Sequence, residues 1–386
     1  MDLSFTEEQQ LLRDTIRGLC ERYAPLSVVR ALEDDPRGYP EDLWRELGSL
    51  GLVGLLLPEE HGGGGQSAVE GAILYEEMGR ALAPTPHFPS AVMAGGVLAA
   101  AGSEEQRREW LPRIASGEAI VAPAWLEASG GFRPRGVRVE ARSEGGAVRL
   151  SGRKRHVPFA SSAERLLVLA RSGPGEEEID LFLVDPASPG VKLTQKFSLA
   201  ADAQYDVDLD DVAVPAEARV GAPGQGWKIW RRALLDGIIL VAAQAIGGAA
   251  RALEITVEYS KQRKQFDKPL GAFQALAHAM ADASTRVDGG QTLVYEAAWA
   301  RANGRPIERL APMAKLFACD TFRDVTAMAQ QIHGGMGFTV DYDIQLYFRR
   351  AKQLQLSWWD ARVLEEMIAA DVLDSDRAPE FRAVPI

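Results

Sequence analysis

The spacing of apolar residues changes twice along this chain, and that order bounds the folds open to it. Up to about residue 116 apolar side chains recur at helical intervals, as in Leu11, Leu12, Ile16 and Leu19 after the capping box Thr6-Glu7-Glu8-Gln9. Pro40 opens a second helix through Leu47, and helical patterns return at Ser67 to Leu82, Ser90 to Ala101 and Ser103 to Ser116. After Gly117 short β-type runs take over: Val137-Val139, Val148-Leu150, Leu166-Ala170, Ile179-Val184, Val191-Leu193 and Tyr205-Leu209. Turn formers such as Gly145-Gly146 and Pro186 to Gly190 separate them, which predicts a small sandwich or barrel. From Trp227 the period is helical again and the segments are long, with stripes such as Phe273, Leu276, Ala277 and Met280. Long helices side by side imply a bundle. We therefore expect three domains: residues 1–120 helical, 121–222 β, and 223–386 a helical bundle.

Bulk properties narrow the function classes. A net charge of -11 disfavours nucleic acid and anionic membrane as partners. Cys20 and Cys319 have no metal-like spacing, so no metal is expected, and they imply a reducing compartment. Met1-Asp2-Leu3-Ser4-Phe5 lacks the basic start and apolar core of a signal peptide. No apolar run approaches the ~20 residues of a membrane helix, so we expect no membrane span and a cytoplasmic protein.

Two stretches carry ligand chemistry. Arg263-Lys264-Gln265-Phe266 leads through Pro269 and Gly271 into a helix beginning at Phe273-Gln274. A guanidinium, an aromatic ring and exposed backbone between helices suit a planar phosphorylated ligand, although cationic residues also serve as plain helix caps. Gln331-Ile332-His333-Gly334-Gly335-Met336-Gly337-Phe338 offers backbone that a pyrophosphate can approach closely. A glycine-rich helix break without any ligand is its alternative reading. His333 reads as a spacer in this turn, with an acid or base as its alternative role.

Together these motifs, in helix–strand–helix order, resemble the acyl-CoA dehydrogenase family. The opening Phe5-Thr6-Glu7-Glu8-Gln9, the Pro58-Glu59-Glu60-His61-Gly62-Gly63 loop and the Pro215 to Gly221 turn add to the likeness, which spans nearly the whole chain. The resemblance implies an α+β fold: an N-terminal all-α domain, a middle β-barrel or sandwich, and a C-terminal four-helix bundle. It implies FAD as cofactor, with Arg263, Phe266, Gln274, Gln331, Gly334 and Gly335 holding the ADP part of a flavin belonging to a neighbouring subunit. An acyl-CoA substrate, an electron-transfer flavoprotein-like acceptor and a dimer or tetramer, homomeric or with a second homologous chain, follow from the same likeness.

The family's reaction removes an α-proton with a carboxylate and passes a β-hydride to the flavin. The usual base is a glutamate after an Arg-Asp-Ala-Lys-like segment. Here Arg349-Arg350-Ala351-Lys352 supplies the lead-in, but Trp358 stands where the glutamate would be. A minority of the family places the base on the helix before the Arg-x-x-Phe turn, and Gly237 falls at that position. The nearest carboxylates are Asp360 and Asp236. Asp360, beside two indoles, would have the raised pKa that a general base needs; its alternative role is the N-cap of the helix starting at Ala361. Asp236 alternatively reads as a solvated helix residue.

The flavin-ring half also departs. A Thr-Glu-Pro-like segment is replaced by Ala124-Trp125-Leu126-Glu127-Ala128, and a Trp-Ile-Thr-like strand by His156-Val157-Pro158-Phe159. The hydroxyls are gone and Pro158 donates no hydrogen bond. Arg153-Lys154-Arg155 and Arg349-Arg350-Lys352 are candidates for CoA phosphates or for a solvated face. Three functions remain open: a self-sufficient FAD-dependent dehydrogenase with a relocated base, a non-catalytic partner subunit of a heteromeric dehydrogenase, and a non-redox lyase on the same fold.

Overall fold

The computed structural model describes residues 4–128 and 130–374; Met1 to Leu3, part of the leader reading above, lie outside them. The first third is helical: α1 (Glu7–Tyr23), α2 (Leu26–Ala31), α3 (Glu41–Ser49), α4 (Ala68–Arg80), α5 (Gly95–Ala101) and α6 (Glu104–Ala115). Three of these helices start in the same way. Thr6 and Gln9, Ser67 and Glu70, and Ser103 and Gln106 each exchange side-chain and backbone bonds, which satisfies otherwise orphaned N–H groups. The run Leu50 to Leu57 forms turns rather than a helix, and a π-helical segment, Phe88–Ala94, leads into α5.

The middle third is an eight-stranded sheet: β1 (Val121–Ala124), β2 (Glu140–Glu144), β3 (Ala147–Pro158), β4 (Arg165–Arg171), β5 (Ile179–Val184), β6 (Val191–Lys196), β7 (Gln204–Pro215) and β8 (Arg219–Val220). The strands follow the order β6-β7-β3-β2-β4-β5-β8, with β1 pairing in parallel with β4. Every residue of β5, and Leu166 to Ala170 of β4, is buried, as expected for strands covered on both faces; the one charged residue among them, Asp180 of β5, pairs with Arg219 at 2.9 Å. Val137-Val139, expected as a strand, precedes the ladder, which starts at Glu140; the Val139 carbonyl still accepts from Arg171 N, the bond that belongs to the parallel pairing of Glu140 with Arg171.

The last third comprises α7 (Gly226–Gln262), α8 (Gln274–Ala302), α9 (Leu310–His333), α10 (Ile344–Leu356) and α11 (Ala361–Leu373). One expectation needs correction here. Although no strictly unbroken apolar run approaches 20 residues, α7 is long and apolar enough to cross a membrane, with a mean hydropathy of 1.8 over its best window. That window is 78% buried inside the protein, so its apolar character serves the core between α4, α8 and α9. Two glycines permit the closest of these contacts. A Cβ on Gly79 of α4 would lie 2.0 Å from the Gln244 carbonyl oxygen of α7, and one on Gly247 would lie 2.0 Å from the Glu76 carbonyl oxygen. The two backbones touch, and any side chain at either position would force them apart.

Candidate functional site

Where the N-terminal helices, the sheet and α10 meet, a cavity of about 570 Å³ opens. One wall is aromatic. Trp125, just past β1, lies nearly parallel to Trp358 (9°, ring centroids 6.1 Å apart), and Phe132 packs 5.6 Å from Trp125. Behind them Trp230 of α7 is completely buried, 5.2 Å from Trp125 and 6.5 Å from Trp358. The lining also includes Arg349, Arg350, Lys352 and Gln353 of α10 together with Asp202.

Trp358 occupies a turn between α10 and α11 in which both Trp358 (φ 54°) and Trp359 (φ 74°) are left-handed. Consecutive bulky residues rarely adopt that conformation, so the surroundings must hold it. Lys315 of α9 does so. Its side chain is fully buried, and Nζ donates to the carbonyls of Leu354 (3.2 Å) and Trp359 (2.7 Å), on either side of the turn. Burial lowers its pKa, with Cys319, Asp360 and Asp320 acting in the opposite sense.

The two alternative base positions converge in space. The Trp358 ring packs edge-on against Phe88, with centroids 4.8 Å apart. A Cβ on Gly237 would lie 3.2 Å from Phe88 Cζ and 3.1 Å from Met93 Sδ. Phe88 therefore fills the space into which a side chain at Gly237 would project, and it abuts the indole standing where the usual glutamate would be. No carboxylate stands at either position. Asp360 is the N-cap of α11, its side chain accepting from Val363 N at 3.1 Å. Asp236 accepts a paired interaction from Arg301 at 2.8 and 3.1 Å and lies 3.3 Å from Arg232. Neither lines the cavity.

A buried pair underlies the first wall. Lys154 Nζ, fully buried, donates to Glu127 Oε1 at 2.6 Å. Burial pushes the Lys154 pKa down to about 8, against the pull of Glu127. The same Glu127 oxygen accepts from Arg138 N and Val139 N, which leaves it committed to shaping the loop. Deeper still, Tyr75, which lines the cavity, lies 2.7 Å from His87 Nδ1, and His87 Nε2 lies 3.1 Å from the Leu52 carbonyl. The carbonyl requires the proton on Nε2, so Tyr75 donates to Nδ1.

The paired ligand motifs lie at one end of the bundle. Arg263 caps α7, and the next residues make a two-stranded hairpin, Lys264-Gln265 against Lys268-Pro269. Its turn residues Phe266 and Asp267 are both left-handed, as a tight hairpin requires. Phe266 is 86% exposed, Gln274 and Gln331 are exposed, and among the described residues Arg263 forms no ion pair. Tyr259, one turn before Arg263, stacks on His333 at 4.2 Å, which brings the end of α7 against the glycine turn. His333 is buried and bonds Ala329 O, so it is a packing residue of this junction. Gly334 has φ 63°, and the space over Gly334 and Gly335 is open.

These residues fit an ADP moiety: an uncommitted cation, an exposed ring and bare glycine backbone on a surface the chain's own side chains leave open. The ring half fits poorly. Phe159 N is spent on Ala203 O, Arg155 N on Leu126 O, and Pro158 has no N–H, so that wall offers a flavin few donors. Phe88, Lys315 and the Tyr75–His87 pair were not anticipated; each matters through neighbours distant in sequence, and no local motif marks them.

The fold is that of an oxidoreductase acting on CH–CH bonds, and the chain belongs to the acyl-CoA dehydrogenase family. Residues 6–118 match the family model for the acyl-CoA dehydrogenase N-terminal domain, and residues 224–371 match that for the C-terminal domain. A probable acyl-CoA dehydrogenase of Bacillus subtilis, YngJ, is 32% identical, covering 97% of this chain and all of the relative. Subunit CarC of the caffeyl-CoA reductase-Etf complex of Acetobacterium woodii is 29% identical over 96% of this chain and 99% of its own length. The ChsE4-ChsE5 complex of Mycobacterium tuberculosis contains a chain 27% identical that superimposes with a TM-score of 0.88, covering 97% of this chain and all of that one. The relatives are acyl-CoA dehydrogenases and reductases, oxidoreductases acting on CH–CH bonds, and members of the family are FAD-dependent.

Proposed function

We propose that this chain serves acyl-CoA α,β-dehydrogenation as the flavin-sharing subunit of a hetero-oligomer. Arg263, Phe266, Gln274, Gln331, Gly334 and Gly335 hold the ADP part of an FAD whose ring, and whose catalytic base, belong to a second homologous chain. The flavin would supply the hydride acceptor there; this chain supplies charge, stacking surface and glycine backbone. The observation carrying this reading is the convergence of both base positions on Phe88, where an indole and a phenyl ring leave no proton acceptor. The relative in the M. tuberculosis complex works beside a different chain, which supports the same arrangement. Electrons would leave through an electron-transfer flavoprotein-like acceptor, as the Etf-associated relative suggests, and the assembly would be cytoplasmic.

Expression settles the matter directly. The chain purified alone is expected to be colourless, and to retain flavin absorbance only when co-expressed with a homologue that has the missing glutamate. In that complex Arg263→Ala should lower flavin retention several-fold. A stable yellow homo-oligomer refutes the reading.

The open cavity supports one alternative, a self-sufficient FAD-dependent dehydrogenase using Asp360 or Asp236 after the turn at Trp358 rearranges. For that enzyme Asp360→Ala abolishes flavin reduction by acyl-CoA.

A further inference from the structure

The cavity has a use that requires no flavin. We propose that it takes a flat, fused-ring carboxylic acid, with the rings against Trp125, Phe132 and Trp358 and the carboxylate on Arg350.

Size is the first argument. About 570 Å³ falls within the range of sites for compact organic ligands and suits several fused rings. The wall is the second. Trp125 and Trp358 stack on each other at 9°, Phe132 lies alongside at 37° to Trp125, and all three line the cavity; an aromatic lining favours flat rings over flexible chains, which lose more conformational freedom on binding.

Charge is the third. Of the cations that line the cavity, Arg349 is engaged by Glu33 and Gln345, and Lys352 donates to Gln355 Oε1 at 2.8 Å. Lys154, beneath the floor, is neutralised by Glu127. Asp202 also lines the space, but Ser198, Gln204 and Gln353 all donate to it. Arg350 bonds only the Gln353 amide oxygen, at 2.7 Å, and among the described residues has no carboxylate within ion-pair distance. An uncommitted guanidinium facing a cavity is a ready fork for a carboxylate. The remaining acid, Asp202, faces the same space, so an anion is favoured only where it pairs directly with Arg350.

The test is a titration of the full chain with 1-pyrenebutyrate, read as energy transfer from the tryptophans to pyrene. Saturable binding of one pyrenebutyrate per chain is expected. Dodecanoate and the uncharged methyl ester of pyrenebutyrate should each bind at least about tenfold more weakly, and Arg350→Met should weaken the acid by about tenfold or more, the usual effect of deleting a charge-assisted bond. Circular dichroism checks that Arg350→Met is folded; the methyl ester probes the same contact without any mutation. Absence of saturable binding, equal binding of dodecanoate or of the ester, or indifference to Arg350→Met overturns the proposal. So does displacement of pyrenebutyrate by micromolar FAD, which would assign the cavity to the flavin and contradict the flavin-sharing reading as well. Failure of the first three kinds leaves that reading untouched.

Discussion

Replacing Lys315 with methionine should destabilise the protein and loosen the turn that carries Trp358. Lys315 Nζ donates to two buried carbonyls, Leu354 O at 3.2 Å and Trp359 O at 2.7 Å. Methionine fills similar space but donates nothing. Each orphaned buried carbonyl costs about 1–3 kcal/mol, giving a loss of roughly 2–6 kcal/mol. Removing a buried ammonium offsets part of this. That offset is bounded, because the amine can shed its proton once its pKa is depressed, whereas an orphaned carbonyl has no comparable escape. The carbonyl loss wins, and a net destabilisation of about 2–4 kcal/mol remains. The left-handed Trp358 and Trp359 would then relax, because the clamp holding both sides of their turn is gone. Urea unfolding followed by tryptophan fluorescence should show a midpoint lower by about 1 M, for a slope of about 3 kcal/mol/M. Near-UV circular dichroism from the packed indoles should weaken in the absence of denaturant. A midpoint within roughly 0.2 M of the parent, with an unchanged near-UV spectrum, would show that Lys315 is a passenger rather than a clamp.

Three further outcomes follow from the geometry. Asp360→Ala should cost about 1 kcal/mol through the lost N-cap, measured by thermal melting, and leave flavin retention in the co-expressed complex unaltered. Gly237→Glu should not create a base. Its Cβ meets Phe88 and Met93, so we expect about 1–3 kcal/mol of destabilisation from overpacking. Phe88→Ala is itself destabilising, so the check is a double-mutant cycle, in which Gly237→Glu should cost less in the Phe88→Ala background, and an equal cost in both backgrounds would refute this. His87 carries a pH signature. Burial pushes its pKa down to about 4, against about 6.5 in the unfolded chain, so between these values the unfolded state binds more protons. Stability from this group is therefore full above pH 6.5 and declines by about 3 kcal/mol as pH falls to 4. His87→Gln should flatten that part of the stability–pH curve, and an undiminished slope would place the acid sensitivity elsewhere.

How far the sequence reached depends on the range of the interaction. The capping boxes at Thr6, Ser67 and Ser103 act over three residues, and helix starts were legible from them. The run Ile179–Val184 matches β5 residue for residue: it is apolar but for Asp180, which is buried with the rest and paired with Arg219. Asp360 could be read as a cap because the helix it precedes is its neighbour. The convergence at Phe88 was not legible, since it joins a π-helical segment, α7 and the Trp358 turn across some 270 residues of chain. Lys315 was equally hidden: buried lysines are rare, and only the fold reveals the two carbonyls that reward one. The apolar length of α7 was missed because polar and charged residues interrupt it, though it still buries most of its surface.

The bare-backbone crossing at Gly79 and Gly247 has a consequence for how such proteins can be cut and recombined. The first and last thirds of the chain meet there with no side chain between them, so neither presents a finished surface without the other. A chimaera that takes residues 1–120 from one relative and the bundle from another must preserve both glycines and the crossing they permit. The sheet is tied in as closely: a Cβ on Gly226, the first residue of α7, would lie 2.6 Å from the Ile179 carbonyl oxygen of β5, and Trp125 packs on Trp230 and Trp358. In recombination terms a splice beside Gly226 must preserve that glycine, just as a splice between Gly79 and its partner helix must preserve the crossing there.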